Sequence, residues 1–169
     1  TPWGSSHQTS LRLMEKYSHI AGMYVWTGFD YLGEPTPYTW PARSSYFGIV
    51  DLAGFPKDVY YLYQSVWTEK PVLHVLPHWN WKKGDRVDVV VYFNQADRVE
   101  LYLNDRKIRE QSKDPDRYDL VFKGVEFEPG KLEAVSYLGN KKVLSKAVHT
   151  AESAYRIKLM AENSIAKNG

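Results

Sequence analysis

"YYLYQSVWTEKPVLHVLPHW", Tyr60–Trp79, changes its period halfway along. Up to Trp67 the aromatic residues Tyr60, Tyr63 and Trp67 recur at i, i+3 and i+7, which predicts a helix with Pro56 at an early helical position. After Pro71 the pattern "VLHVL" is that of a short strand, and "TEKP" between the two reads as a linker. The expected division is therefore residues 1–67 as one segment, 68–72 as a linker, 73–151 as an all-β unit, and 152–169 as a linker with the first strand of a further, truncated domain.

Downstream of the change, strands are expected at "VLHVLPHW", "RVDVVVYFN", "RVELYLND", "DLVFKGVEF", "KLEAVSYLG" and "KKVLSKAVHT". "LND" before Arg106, "EPGK" and "YLGNKK" are the turn signals between them, and "NDRK" is read as turn throughout. Roughly 80 residues in six or seven short strands predict an immunoglobulin-like sandwich. In "HWNW", alternation puts Trp79 and Trp81 on one face and His78 and Asn80 on the other. Docking of that face on a neighbouring domain is favoured over a ligand-binding surface.

Upstream, "SSHQTSLRLMEKYSHI" predicts a helix capped by Ser5 or Ser6, with Leu11 and Met14 on its apolar face. "IAGMYVWTGF" is apolar without clean alternation, the mark of a strand buried on both faces. Then comes a stretch unusual for a loop. Trp26, Phe29, Tyr31, Tyr38, Trp40, Tyr46 and Phe47 lie among prolines, glycines and a few charges. Loops are usually built of small polar residues, so an aromatic one packs as a lid or grips a flat, partly apolar ligand.

Bulk properties narrow the function classes. The 169 residues include 43% hydrophobic and 25% charged, which describes a globular chain. A net charge of +2 with no basic block gives no reason to expect nucleic acid or membrane partners. No apolar run approaches the roughly 20 residues of a membrane span. Without cysteine there is no disulfide, thiolate metal site or cysteine nucleophile. The five histidines are scattered along the chain, and neither a metal nor a cofactor is expected. A start at Thr1 is read as the cut end of something longer.

"WTGFDYLGEPTPY", "WPARSSYFGIVDLAGFPKD" and "YYLYQSVW" together resemble the end of the catalytic barrel of glycoside hydrolase family 2, the β-galactosidase and β-glucuronidase family, and its bacterial β-galactosidase-like branch above all. "LHVLPHWNW", "VELYLNDRKI" and "EPGKLEAVSYLGNKKV" resemble the sandwich domain that follows that barrel. The fold class implied is α+β: the last βα unit of a TIM barrel, then an all-β immunoglobulin-like sandwich. Met23–Trp26 would end the eighth strand, and the aromatic loop would wall the sugar pocket at the C-terminal mouth of the barrel. Aromatic faces pack on the C–H patches of pyranose rings.

The resemblance implies a retaining exo-β-glycosidase acting on terminal β-linked sugars of oligo- or polysaccharides. Its two catalytic carboxyl groups stand about 5–5.5 Å apart, and both lie upstream in the family. No catalytic residue is therefore expected here, and the chain alone should be inactive. The substrate-binding candidates are Trp26, Asp30, Glu34 and Arg43. Trp26 is a sugar platform or core. Asp30 bonds a hydroxyl or an arginine, or pins the loop. Glu34 and Arg43 touch substrate or hold the loop by a salt bridge. The Asn-Gly that accompanies a monovalent cation in better-known galactosidases is not reproduced at Tyr46–Gly48. Expected partners are a carbohydrate and the remaining domains of the parent chain, with homo-oligomerisation open. By analogy the compartment is a bacterial periplasm or the exterior. The rival class is a non-catalytic carbohydrate-binding or structural sandwich module.

Overall fold

The computed structural model describes residues 4–154 together with Arg156 and Met160. The strand expected at the start of "YRIKLMAENSIAKNG" lies almost wholly outside the described residues.

Leu73–His149 form seven strands in two sheets. Strands β3 (Leu73–Leu76), β4 (Arg86–Phe93) and β7 (Asp119–Glu126) make one sheet, ordered β3-β4-β7. Strands β5 (Arg98–Leu103), β6 (Arg106–Ser112), β8 (Lys131–Leu138) and β9 (Lys141–His149) make the other, ordered β6-β5-β8-β9. All pairings are antiparallel. Successive strands change sheet between β4 and β5, β6 and β7, and β7 and β8, as in a Greek-key sandwich. Alternation explains the core. Val87, Val89 and Val91 of β4 and Val99, Leu101 and Leu103 of β5 point inward and meet Phe122, Leu132 and Ala134. No helix interrupts this region.

The strand β6 departs from the expected turn. Only Asn104 and Asp105 turn, with φ of 50° and 64°, and Arg106 and Lys107 already pair with Leu103 and Tyr102. Two left-handed residues give the tight hairpin whose twist suits its flanking strands. The strand RKIREQS was obscured because it is an edge strand, which charge protects from further pairing, with only Ile108 packed on the core.

"HWNW" is also rearranged. Trp79 is fully buried in the sandwich's own core, edge-on to Phe127, and its indole donates to the Glu128 carbonyl at 3.0 Å. Trp81 lies outside and stacks on His78, 5.0 Å between centroids. The strand stops at Leu76, so period-two alternation does not reach these residues, and Trp79 docks no neighbouring domain.

Helix α1 (His7–Lys16) is capped by Ser6, whose hydroxyl accepts from the Thr9 amide. Helix α2 (Asp58–Trp67) begins after Lys57, so Pro56 lies just outside it rather than in its first turn. Leu11, Leu62 and Tyr63 form a small second core with Met14, Met23, Val25, Tyr92 and Tyr118. The helix pair thereby rests on the sandwich. Tyr118 donates to Glu15 at 2.6 Å, Gln8 to Asp119 at 2.9 Å, and His74 meets Asp58 at 2.7 Å. The linker is held too. Asn94 accepts from the Val72 amide and donates to the Thr68 and Lys70 carbonyls.

The doubly buried strand expected at "IAGMYVWTGF" is not formed. Met23 and Val25 face the helices, while Tyr24 and Trp26 face solvent. A strand needs a partner to form a ladder, and none of the described segments pairs with Met23–Trp26. Two short strands, β1 (Tyr31–Leu32) and β2 (Ser44–Ser45), pair instead inside the aromatic loop.

Candidate functional site

The loop between the helices is organised around Asp30. Residues 27–30 run beside 47–50, joined by Thr27 N–H to the Phe47 carbonyl, Ile49 N–H to Thr27, Val50 N–H to Gly28 and Asp30 N–H to Val50. Asp30 is buried where the two segments meet. Its Oδ1 accepts from the Gly48 amide at 2.8 Å and from Lys57 Nζ at 2.7 Å. A carboxylate out of water needs such partners, because an unpaired buried charge is costly. Gly48 must be glycine here for want of space. A Cβ would lie 2.1 Å from the Asp30 amide nitrogen and 2.5 Å from the Val50 carbonyl oxygen.

Above this base the hairpin β1–β2 closes. Ser45 donates to the Glu34 carbonyl at 2.8 Å, and Gly33 N–H to the Arg43 carbonyl. The aromatic side chains stay outside. Trp26 is 72% exposed and meets Tyr31 edge to face at 6.1 Å; Trp40 is 77% exposed. Tyr38 meets Tyr46 edge to face at 5.3 Å. Apolar surface gathered in one segment in this way is where a ligand or another part of a longer protein would be met.

The four candidates separate. Trp26 lies on the open face, outside both cores formed by the described residues. Asp30 pins the loop from within. Glu34 is exposed at a φ of 39° and takes the Tyr31 hydroxyl at 3.4 Å. Arg43 spreads over the Trp40 ring, 5.1 Å from its centroid. Neither Glu34 nor Arg43 forms an ion pair among the described residues; in place of the salt bridge expected for each stand a hydroxyl bond to Glu34 and the cation–π contact of Arg43. The arrangement can present aromatic faces and a few polar edges to a ligand. It offers no paired, free carboxylates for acid–base work, since Asp30 is engaged.

Lys57 was not a candidate. Besides Asp30 it donates to the Tyr46 carbonyl at 3.1 Å, and its own amide donates to Ile49. The one signal was its position: Lys57 is the residue before α2, and its side chain makes no cap bond there, where Ser, Thr or Asp is usual.

The described residues form a two-sheet unit preceded by a helix pair and an aromatic loop, and comparison with known proteins gives its family. Residues 84–144 match a family described as a domain of unknown function, DUF4982. The β-galactosidase BoGH2A of Bacteroides ovatus is 54% identical over 164 residues, 97% of this chain and 19% of that protein. A putative β-glucuronidase of Formosa agariphila is 38% identical over 94% of this chain and 14% of its own length. Among solved structures, a β-glycosidase from Bacteroides vulgatus superposes with a TM-score of 0.80 at 38% identity, covering 88% of this chain and 19% of that one. A glycosyl hydrolase family 2 member from Bacteroides cellulosilyticus gives 0.76 at 26%, covering 92% and 25%. The chain belongs to glycoside hydrolase family 2, and it spans about a fifth or less of the curated relatives it matches.

Proposed function

We propose that this chain is the last strand–helix unit of the catalytic barrel, and the sandwich after it, of a retaining exo-β-glycosidase that removes terminal β-linked galactose from oligo- or polysaccharides. The observation that carries the reading is 54% identity across 97% of the chain to a protein named as a β-galactosidase. Identity to a protein named as a putative β-glucuronidase is lower, 38%, which favours the galactoside.

The barrel assignment is supported by Met23–Thr27. One face of this segment packs on two helices, and the backbone of Met23–Trp26 has no ladder within the described residues. Barrel strands from the rest of the enzyme would supply that ladder. Trp26 would then sit at the mouth, stacked on the sugar, with Glu34 and the Arg43–Trp40 pair on the rim and Asp30 shaping the wall from beneath. The acid/base and the nucleophile come from earlier strands, so this segment contributes binding rather than bond cleavage.

The test uses the natural polypeptide that carries this sequence, assayed with nitrophenyl β-galactoside and nitrophenyl β-glucuronide. Preferential release from the galactoside is expected. Preference for the glucuronide overturns the sugar assignment, and turnover of neither, with binding of polysaccharide retained, favours a non-catalytic module.

A further inference from the structure

Two adjacent residues face opposite neighbours. Lys57 reaches back to the aromatic loop, holding Asp30 Oδ1 at 2.7 Å and the Tyr46 carbonyl at 3.1 Å. Asp58 reaches forward to the sandwich, with Oδ1 2.7 Å from His74 Nε2 on β3. His74 is also gripped from α2 by Tyr61, whose ring lies parallel to the imidazole at 3.9 Å and 9°. His74 in turn lies parallel to Tyr92 on β4 at 6.5 Å. The path from loop to sandwich therefore runs Asp30, Lys57, then Asp58 and Tyr61, then His74, with no gap filled by flexible chain.

We infer that Lys57 is a positioning residue for the aromatic loop, and that the Lys57–Asp58 pair transmits the placement of the sandwich's first strand to that loop. The inference rests on the loop being the sugar-pocket wall. Its physical basis is geometric. Lys57 fixes two points of the loop at once, Asp30 on one segment and Tyr46 on the other, and so sets the distance between them. Its backbone amide fixes a third at Ile49. The start of α2 cannot shift to release these contacts while His74 holds Asp58 and Tyr61. An accessory domain that holds the pocket wall in this way contributes to catalysis without touching substrate, because small misplacement of a binding surface is expensive in rate.

The experiment compares Lys57→Met, Lys57→Arg and His74→Ala with the parent in the natural polypeptide. Two readouts are needed. The first is backbone hydrogen exchange of peptides spanning residues 27–34 and 44–50, which requires no activity. The second is kcat and KM on nitrophenyl β-galactoside, per folded molecule. Faster exchange in both loop peptides is expected for Lys57→Met and for His74→Ala, with exchange in β4, β5 and β8 unchanged. A fall in kcat/KM of about tenfold or more is expected for Lys57→Met, with partial recovery in Lys57→Arg, which keeps a donor for both oxygens. Unchanged loop exchange in either alanine or methionine variant overturns the inference, as does a lower melting temperature with kcat/KM intact. A parent that hydrolyses nothing sinks the glycosidase reading instead, and the exchange arm still decides this one.

Discussion

His7 Nδ1 lies 2.7 Å from the Tyr63 hydroxyl, and the two rings meet edge to face at 5.5 Å, which fastens the first turn of α1 to the middle of α2. Burial at this contact pushes the His7 imidazole below its ordinary value of 6.5. An unfolded chain takes up the proton near 6.5, whereas the folded one resists it to lower pH. Between those points the unfolded state holds more protons, so stability rises with pH there. The His7 contribution is complete above about 6.5 and is lost as pH falls through the lowered folded value. Urea midpoints measured from pH 8 to pH 5 should therefore drop, and His7→Phe should flatten the part of that slope just below neutrality. An identical slope in the variant would rule His7 out as the titrating group.

The contact between Gly48 and Asp30 sets a second expectation. Substituting Gly48→Ala places a methyl against backbone atoms at 2.1–2.5 Å, which no rotamer can relieve. The loop must open, breaking the Gly48–Asp30 bond and exposing the Asp30–Lys57 pair. The cost should reach about 1–3 kcal/mol, as for other overpacked sites. It should be confined to the loop: dye binding by exposed apolar surface should rise while the sandwich retains its melting transition. A variant with parental dye binding would show that the loop tolerates the methyl group.

Trp79 offers a test of the sandwich. It fills the core completely and satisfies the Glu128 carbonyl. Trp79→Ala should cost about 3–5 kcal/mol through lost burial and the cavity left behind. Trp81→Ala, on the exposed partner two residues on, should cost within about 0.5 kcal/mol, as is usual for surface positions. Equal losses at the two positions in chemical denaturation would contradict the burial described.

These cases also explain what could be read ahead of the structure. Strands β4, β5, β7 and β8 were legible because each sends a row of apolar side chains into the common core, such as Val87, Val89 and Val91 or Val99, Leu101 and Leu103. The strand β6 was not, since an edge strand is selected for charge and carries no periodic apolar signal. The expected pairing of Trp79 with Trp81 failed because alternation holds only inside a strand, and β3 ends before them. Met23–Trp26 was read as buried on both faces from its apolar composition, yet composition cannot say which face a neighbour will cover. The aromatic loop was visible in its residue types. Its pin was not: Asp30 and Lys57 are 27 residues apart, and a long-range ion pair leaves no local pattern.

The proposed division of labour between this segment and the rest of the enzyme predicts that residues 1–169 by themselves release no nitrophenol from nitrophenyl β-galactoside or β-glucuronide. A retaining mechanism needs a nucleophilic carboxylate and an acid/base partner about 5–5.5 Å apart. Here Asp30 is committed to Gly48 and Lys57, and Glu34 is exposed and takes a tyrosine hydroxyl. Turnover within about a hundredfold of the natural polypeptide, roughly 2.7 kcal/mol in barrier, would require a catalytic pair inside this segment.

Trp26 carries the most direct prediction for the natural polypeptide. Its indole is 72% exposed and, among the described aromatic rings, meets only the edge of Tyr31, so it contributes little to the cores the described residues form. Stacked on a pyranose in the cleavage subsite, it would be worth about 1–3 kcal/mol, by analogy with aromatic stacking on nucleic-acid bases. If the contact tightens as the ring flattens toward an oxocarbenium-like state, the loss falls on kcat as well as KM. Trp26→Ala should then lower kcat/KM by roughly five- to 150-fold at about 1.4 kcal/mol per decade. Trp26→Phe should recover part of it. The melting temperature should stay near that of the parent in both variants, since a surface ring adds little to folding. An alanine variant that melts early but keeps its kcat/KM per folded molecule would assign Trp26 to packing against the rest of the barrel, and the sugar would have to find its platform on Trp40.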